Sequence, residues 1–265
     1  VDGVTLKQFG ITGQGCVRLS STSGTHGGHV VQDVTVWDTN YMVVNAFGTW
    51  VSRGTGASVN DIKFIRCVAY NVGGNGFAIM GNFPWSTGTA GTQHNIYFED
   101  CKALYCGYTN DIWDWTVGFD LVEQCHIDKV TLVRCEASYN WESGFHLEYG
   151  PTVTDCVFQD CVANYNGQSY SDPRGAVWGA GYLTFGYQDV TKTRCTGIGN
   201  AGGTFYSADR YPVEQKTVSG YGYTYSVSGT TVKNTGGTTV YTGSSFTTAL
   251  QWACSQANAV VRIPG

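Results

Sequence analysis

The chain has 265 residues, enough to bury one large core without needing a second domain. Glycine is abundant at 36 residues and proline scarce at 5, and no long stretch shows the apolar period of an amphipathic helix, so many short strands joined by turns are expected. The net charge of −5 is spread without a basic block, which argues against a nucleic-acid-binding surface, and no run approaches the roughly 18 apolar residues of a membrane span. The sequence opens at Val1 without Met or a signal-like apolar stretch, and so reads as a processed or excised chain.

In chain order, VDGVTLKQFG reads as an opening rung, and a repeat then follows. Cys67, Cys101, Cys135, Cys161 and Cys195 lie in DIKFIRCVA, NIYFEDCKA, KVTLVRCEA, DCVFQDCVA and DVTKTRCTG, each with an apolar residue five positions earlier and Ala or Gly two positions later. DVTVWDTNY places Thr39 in the same series, giving spacings of 28, 34, 34, 26 and 34 residues. Units of this size cannot bury their apolar side alone and must stack on their neighbours. The residues just before the series, Asp38, Arg66, Asp100, Arg134, Asp160 and Arg194, alternate in sign, as a register-setting surface ladder would. Asn140, Asn166 and Asn200 share a turn position, where Asn tolerates left-handed backbone and bonds to neighbouring backbone.

A second register follows each cysteine. Phe77, Phe145 and Phe205 come ten residues later, Phe119 comes 18 later and Tyr182 comes 21 later, so two coils carry insertions of 8 and 11 residues. Each repeat therefore reads as two or three short strands. Stacking Cys on Cys and Phe on Phe, with rungs about 4.8 Å apart, gives an all-β, single-stranded parallel β-helix, a solenoid with long loops forming a groove on one face. The ten cysteines read as an inward ladder of free, buried thiols, and without a CxxC pair zinc is not expected.

Chemistry is expected where the repeat departs from its own pattern. The strands at the aromatic register read GFAIM, GFDLV, GFHLE, GYLTF and TFYSA. Alternation points Phe119, Leu121, Phe145 and Leu147 inward and Asp120, His146 and Glu148 outward, with Asp120 and His146 on consecutive rungs. Ala78, Leu183 and Tyr206 fill the same position on the flanking rungs. One insertion brings Asp111, Trp113, Asp114 and Trp115, and the other Tyr170, Asp172, Arg174 and Trp178. Between them the short turn carries Trp141 and Glu142, Tyr149 follows Glu148, and a further loop adds Trp85.

Aromatic rings cover the apolar faces of sugars, while paired carboxylates protonate a glycosidic oxygen and activate water. The expected catalytic set is Asp120, His146, Glu148, Asp114 and Glu142, with Trp113, Trp115, Trp141, Tyr149, Tyr170, Arg174, Trp178 and Asp111 against the substrate. No cofactor is required by this chemistry. Ca²⁺ at Asp111, Asp114 and Asp120 is an alternative supported only by three carboxylates without a recognisable loop.

These repeats resemble the pectate-lyase-like right-handed β-helix superfamily. The stretch from about Ser58 to Ser207, through WDWTVGFDL, NWESGFHLEYG and CVANYNGQ, is similar to the disaggregatase-associated β-helix proteins of methanogenic archaea. That resemblance implies a right-handed coil, an extracellular or cell-surface location, and degradation of a chondroitin-like heteropolysaccharide. It transfers no catalytic assignment. Residues 1–208 form the expected helix core and 209–265 a coil or linker. The final stretch, SSFTTALQWACSQANAVVRIPG, resembles the segment that normally opens such a domain, as in a permuted or tandem arrangement. Lyases of this superfamily usually need a Lys or Arg base, so the Asp, His and Glu floor favours hydrolysis. β-Elimination and non-catalytic glycan binding are the alternatives.

Overall fold

The computed structural model describes residues 3–13, 16–39, 45–52, 56–81, 91–107, 116–123, 125–148, 152–167, 176–185, 188–208, 225–228, 230–234, 239–242, 244 and 261–262. The chain divides into two compact units, Val1–Lys216 and Thr217–Gly265.

The first unit is a parallel β-helix of three sheets. Its first sheet takes Thr5–Lys7, Val30–Gln32, Ser58–Ile65, Thr92–Glu99, His126–Val133, Val153–Gln159 and Val190–Thr193 in that spatial order, with Thr25–Gly27 also beside Ser58–Ile65. The second takes Gly10–Gly13, Thr35–Thr39, Val68–Tyr70, Lys102–Leu104, Glu136–Ser138 and Val162–Asn164. The third takes Val17–Ser21, Asn45–Val51, Asn75–Gly81, Phe119–Glu123, Phe145–His146, Tyr182–Phe185 and Phe205–Ala208. Each strand pairs in parallel with its counterpart one coil away, which puts like residues on like. In the second unit, Tyr225–Ser228, Thr231–Asn234 and Thr239–Thr242 pair antiparallel, and Val261–Arg262 lies parallel to the first of them. Among the described residues, no helix is long and apolar enough to cross a membrane.

The aromatic register runs through the third sheet. Phe47, Phe77, Phe119, Phe145, Tyr182 and Phe205 stack ring on ring at successive centroid distances of 4.8, 4.5, 4.9, 4.9 and 5.0 Å. Phe64 and Phe98 of the first sheet meet this stack edge-on, closing the core. The glycines before Phe119 and Phe145 permit that closeness. A Cβ on Gly118 would lie 2.6 Å from the Gly144 carbonyl oxygen, and one on Gly144 would lie 2.7 Å from that of Gly181.

The described cysteines are free thiols; Cys67, Cys101, Cys135 and Cys161 form a buried inward ladder, whereas Cys195 at its end is half-buried and Cys16 is exposed. Burial raises the Cys156 thiol to about 12, so it stays protonated and packs as a small apolar group. Thr39 does not belong to the ladder. Thr35 pairs with Val68 and Trp37 with Tyr70, which puts Val34 in the place of Cys67 and gives a first interval of 33 residues, not 28. The charge ladder shifts with it, so that Arg66 clamps Asp33 at 2.6 and 2.9 Å, while Asp38 accepts a bond from Asn71. Arg134 clamps Asp100 and Arg194 clamps Asp160 in the same way.

The asparagine stack is a chain of amide bonds. Asn140 Nδ2 donates to Asn166 Oδ1 at 2.9 Å and Asn166 Nδ2 to Asn200 Oδ1 at 2.8 Å. The left-handed backbone expected at these asparagines falls one residue earlier, at Tyr139 and Tyr165, with φ of 59° and 53°. The asparagine amides are turned to the backbone instead, with Asn166 Nδ2 also donating to the Ala137 carbonyl.

Candidate active site

Two residues of the third sheet define the site. The inward Phe119 and Phe145 are in register, so Asp120 and His146, one residue later, are direct cross-strand neighbours on the outer side. Ala78 precedes Asp120 in this row, while Leu183 and Tyr206 follow His146. Although they point away from the core, Asp120 is only 7% and His146 6% exposed. An acid and an imidazole placed side by side out of water interact more strongly than on an open surface.

His146 is bracketed by carboxylates. Its Nδ1 lies 3.1 Å from Glu142 Oε1, and its Nε2 lies 3.6 Å from Glu148 Oε2, too long for a hydrogen bond. Only a doubly protonated ring can donate toward both sides, whereas a neutral ring serves one of them. Glu142 is buried at 1% exposure, and its backbone N–H is fixed by the Thr116 carbonyl. The Glu148 side chain is 24% exposed, and Gln188 Nε2 holds its backbone carbonyl at 3.0 Å. Glu142 is thus built to hold the ring, and Glu148 faces outward enough to meet another molecule.

Asp120 has its own support, which sequence reasoning missed. Asn75 Nδ2 donates to Asp120 Oδ2 at 3.3 Å and to Asn45 Oδ1 at 3.1 Å, while Asn75 Oδ1 accepts the Val117 N–H at 2.9 Å. The signal was present as NAF and NGF, which place Asn45 and Asn75 two residues before consecutive members of the aromatic stack.

Two of the predicted aromatic residues lie in the described part. The Trp178 ring sits 5.6 Å from the His146 ring, tilted by 43°, and is 2% exposed, so it walls the imidazole. Trp141 is half-buried in the turn before Glu142. Asp111, Trp113, Asp114, Trp115, Tyr149, Tyr170 and Arg174 lie outside the described residues, and with them two of the three carboxylates of the Ca²⁺ alternative. Among the described residues, no group of three or more His, Cys, Asp or Glu side chains could hold a metal ion.

No family model matches the chain. No curated protein matches it either. Among solved structures, a rhamnogalacturonan lyase aligns with 80% of this chain at 12% identity and a TM-score of 0.37. The chain spans 59% of that protein's length. A likeness at this level carries no argument for a shared reaction.

Proposed function

We propose that the chain is a polysaccharide-degrading enzyme. In this reading it is a glycoside hydrolase acting outside the cell or at the cell surface on a uronic-acid-containing, chondroitin-like heteropolysaccharide. One observation carries the proposal: His146 sits between Glu142 and Glu148, in register with Asp120, out of water on the outer side of the coil. Glycoside hydrolysis asks for one group that gives a proton to the leaving oxygen and another that supports the developing oxocarbenium centre or activates water. Glu148, partly exposed and facing the imidazole, takes the first role. Asp120, held by Asn75, takes the second. His146 carries the proton between states, and Glu142 keeps its ring in place.

The test is digestion of unsulfated chondroitin, following both new reducing ends and absorbance near the ultraviolet edge. Reducing ends without that absorbance support hydrolysis, and Glu148→Gln or Asp120→Asn should lower the rate about 100- to 10,000-fold. Absorbance from an unsaturated product would replace hydrolysis with β-elimination. Binding without any cleavage would leave a glycan-binding domain.

A further inference from the structure

One cation on the site's own sheet is arranged unlike the arginines of the charge ladder. Arg66, Arg134 and Arg194 each clamp an aspartate at a bend. Arg18 is exposed, and among the described residues no carboxylate pairs with it; its guanidinium lies over the Trp50 ring, 4.4 Å from the centroid. Both residues belong to the third sheet. Arg18 pairs with Gly48, Gly48 with Ala78, and Ala78 with Asp120, so Arg18 occupies the outward row of Asp120 and His146. Trp50, two residues beyond Gly48, shares that outward direction. Three rung spacings separate Arg18 from Asp120, roughly 14 Å at about 4.8 Å each, a span of a few linked sugar rings.

A guanidinium lying on an indole is held in orientation while the N–H groups along its edge stay available. That edge fits two oxygens of one carboxylate or sulfate, which can accept in parallel. The indole, itself half-buried, backs the guanidinium as an apolar platform. We propose that Arg18 and Trp50 form a subsite for an anionic sugar, remote from the reacting bond and on the same face of the coil. It rests on the polysaccharide reading above. The anionic group is a uronate carboxylate or a sulfate ester.

The test is retardation of the full-length chain in native gels cast with unsulfated chondroitin, with carboxyl-reduced chondroitin sulfate, or with polymer both reduced and desulfated. Wild-type protein should be retarded by at least one charged polymer and not by the uncharged one, and the effective polymer identifies which anion is read. Arg18→Gln should weaken that binding about 10-fold or more, with Arg18→Lys between. Lys63→Gln, on the first sheet, removes the same charge elsewhere and should change nothing. The subsite is overturned by no retardation of wild type, by equal retardation in the uncharged gel, or by unchanged binding of Arg18→Gln. Reducing ends released by wild type in the same polymers separate the two proposals. Cleavage with Arg18-independent binding sinks the subsite alone, and Arg18-dependent binding without cleavage sinks the hydrolase alone.

Discussion

Asn75 shows how a neutral side chain can govern an acidic one. It is 5% exposed and joins three groups, Asp120, Asn45 and the Val117 N–H. In Asn75→Ala the Val117 N–H stays buried without its acceptor and the Asp120 carboxylate loses a donor. The unpaired amide costs about 1–3 kcal/mol of stability. Asp120 then favours its charged form less, so the limb of the pH–rate profile that depends on ionised Asp120 should move to higher pH. Asn75→Asp separates the two effects, since it keeps an acceptor for Val117 while placing a second carboxylate beside the first. Chemical denaturation checks the stability, and kcat against pH checks the positioning. An unmoved profile in both variants would reduce Asn75 to a structural residue. Asp120 and His146 were legible in the sequence because each follows a glycine and an inward phenylalanine. Asn75 was not, because its target lies 45 residues away and is reached only through stacking.

At the scale of strands and bends, the arginine clamps make stability depend on pH. Hydrogen bonds from Arg66, Arg134 and Arg194 hold the carboxyls of Asp33, Asp100 and Asp160 below their usual range. A folded carboxyl depressed below its unfolded value of about 3.9 contributes stability that is complete above that value and is lost as pH falls through the folded one. Wild-type Tm should therefore decline as pH drops below about 4, and Asp100→Asn should start lower at neutral pH but decline less steeply. The pairs are largely exposed, so the difference is small and salt should shrink it. Parallel Tm curves would show that the Asp100 clamp contributes nothing to this dependence. The same bends explain why sequence spacing alone puts Thr39 rather than Val34 in the ladder. Asp33 and Asp38 both take left-handed backbone on the same coil, with φ of 55° and 49°, one just past Val30–Gln32 and the other near the end of Thr35–Thr39. Without a cysteine in that coil, local pattern cannot decide which aspartate stands under Arg66. The strand pairing decides it, through Val34. The same missing marker kept Arg18 and Trp50 from being placed on the face of Asp120.

In a solenoid each coil touches only the coils on either side, so the worth of a residue depends on its place in the stack. Phe119 and Phe205 belong to one aromatic series and provide the comparison. Phe119 is fully buried, with Phe77 at 4.5 Å on one side and Phe145 at 4.9 Å on the other, and Phe98 edge-on at 5.8 Å. Phe205 is 52% exposed and stacks on Tyr182 at 5.0 Å. Phe119→Ala opens a cavity closed on every side and should cost about 3–5 kcal/mol, whereas Phe205→Ala should cost a fraction of that. The functional consequences differ as well. Phe119 sets the register that puts Asp120 beside His146, so activity should fall with stability in Phe119→Ala even at temperatures where the fold persists. Phe205 supports a rung two steps beyond His146, and its loss should leave turnover unchanged. Urea midpoints measured beside chondroitin cleavage test both halves. Equal destabilisation by the two substitutions would contradict nearest-neighbour stacking, and full activity in a folded Phe119→Ala would mean that the carboxylate and imidazole are positioned by something other than the ring stack beneath them.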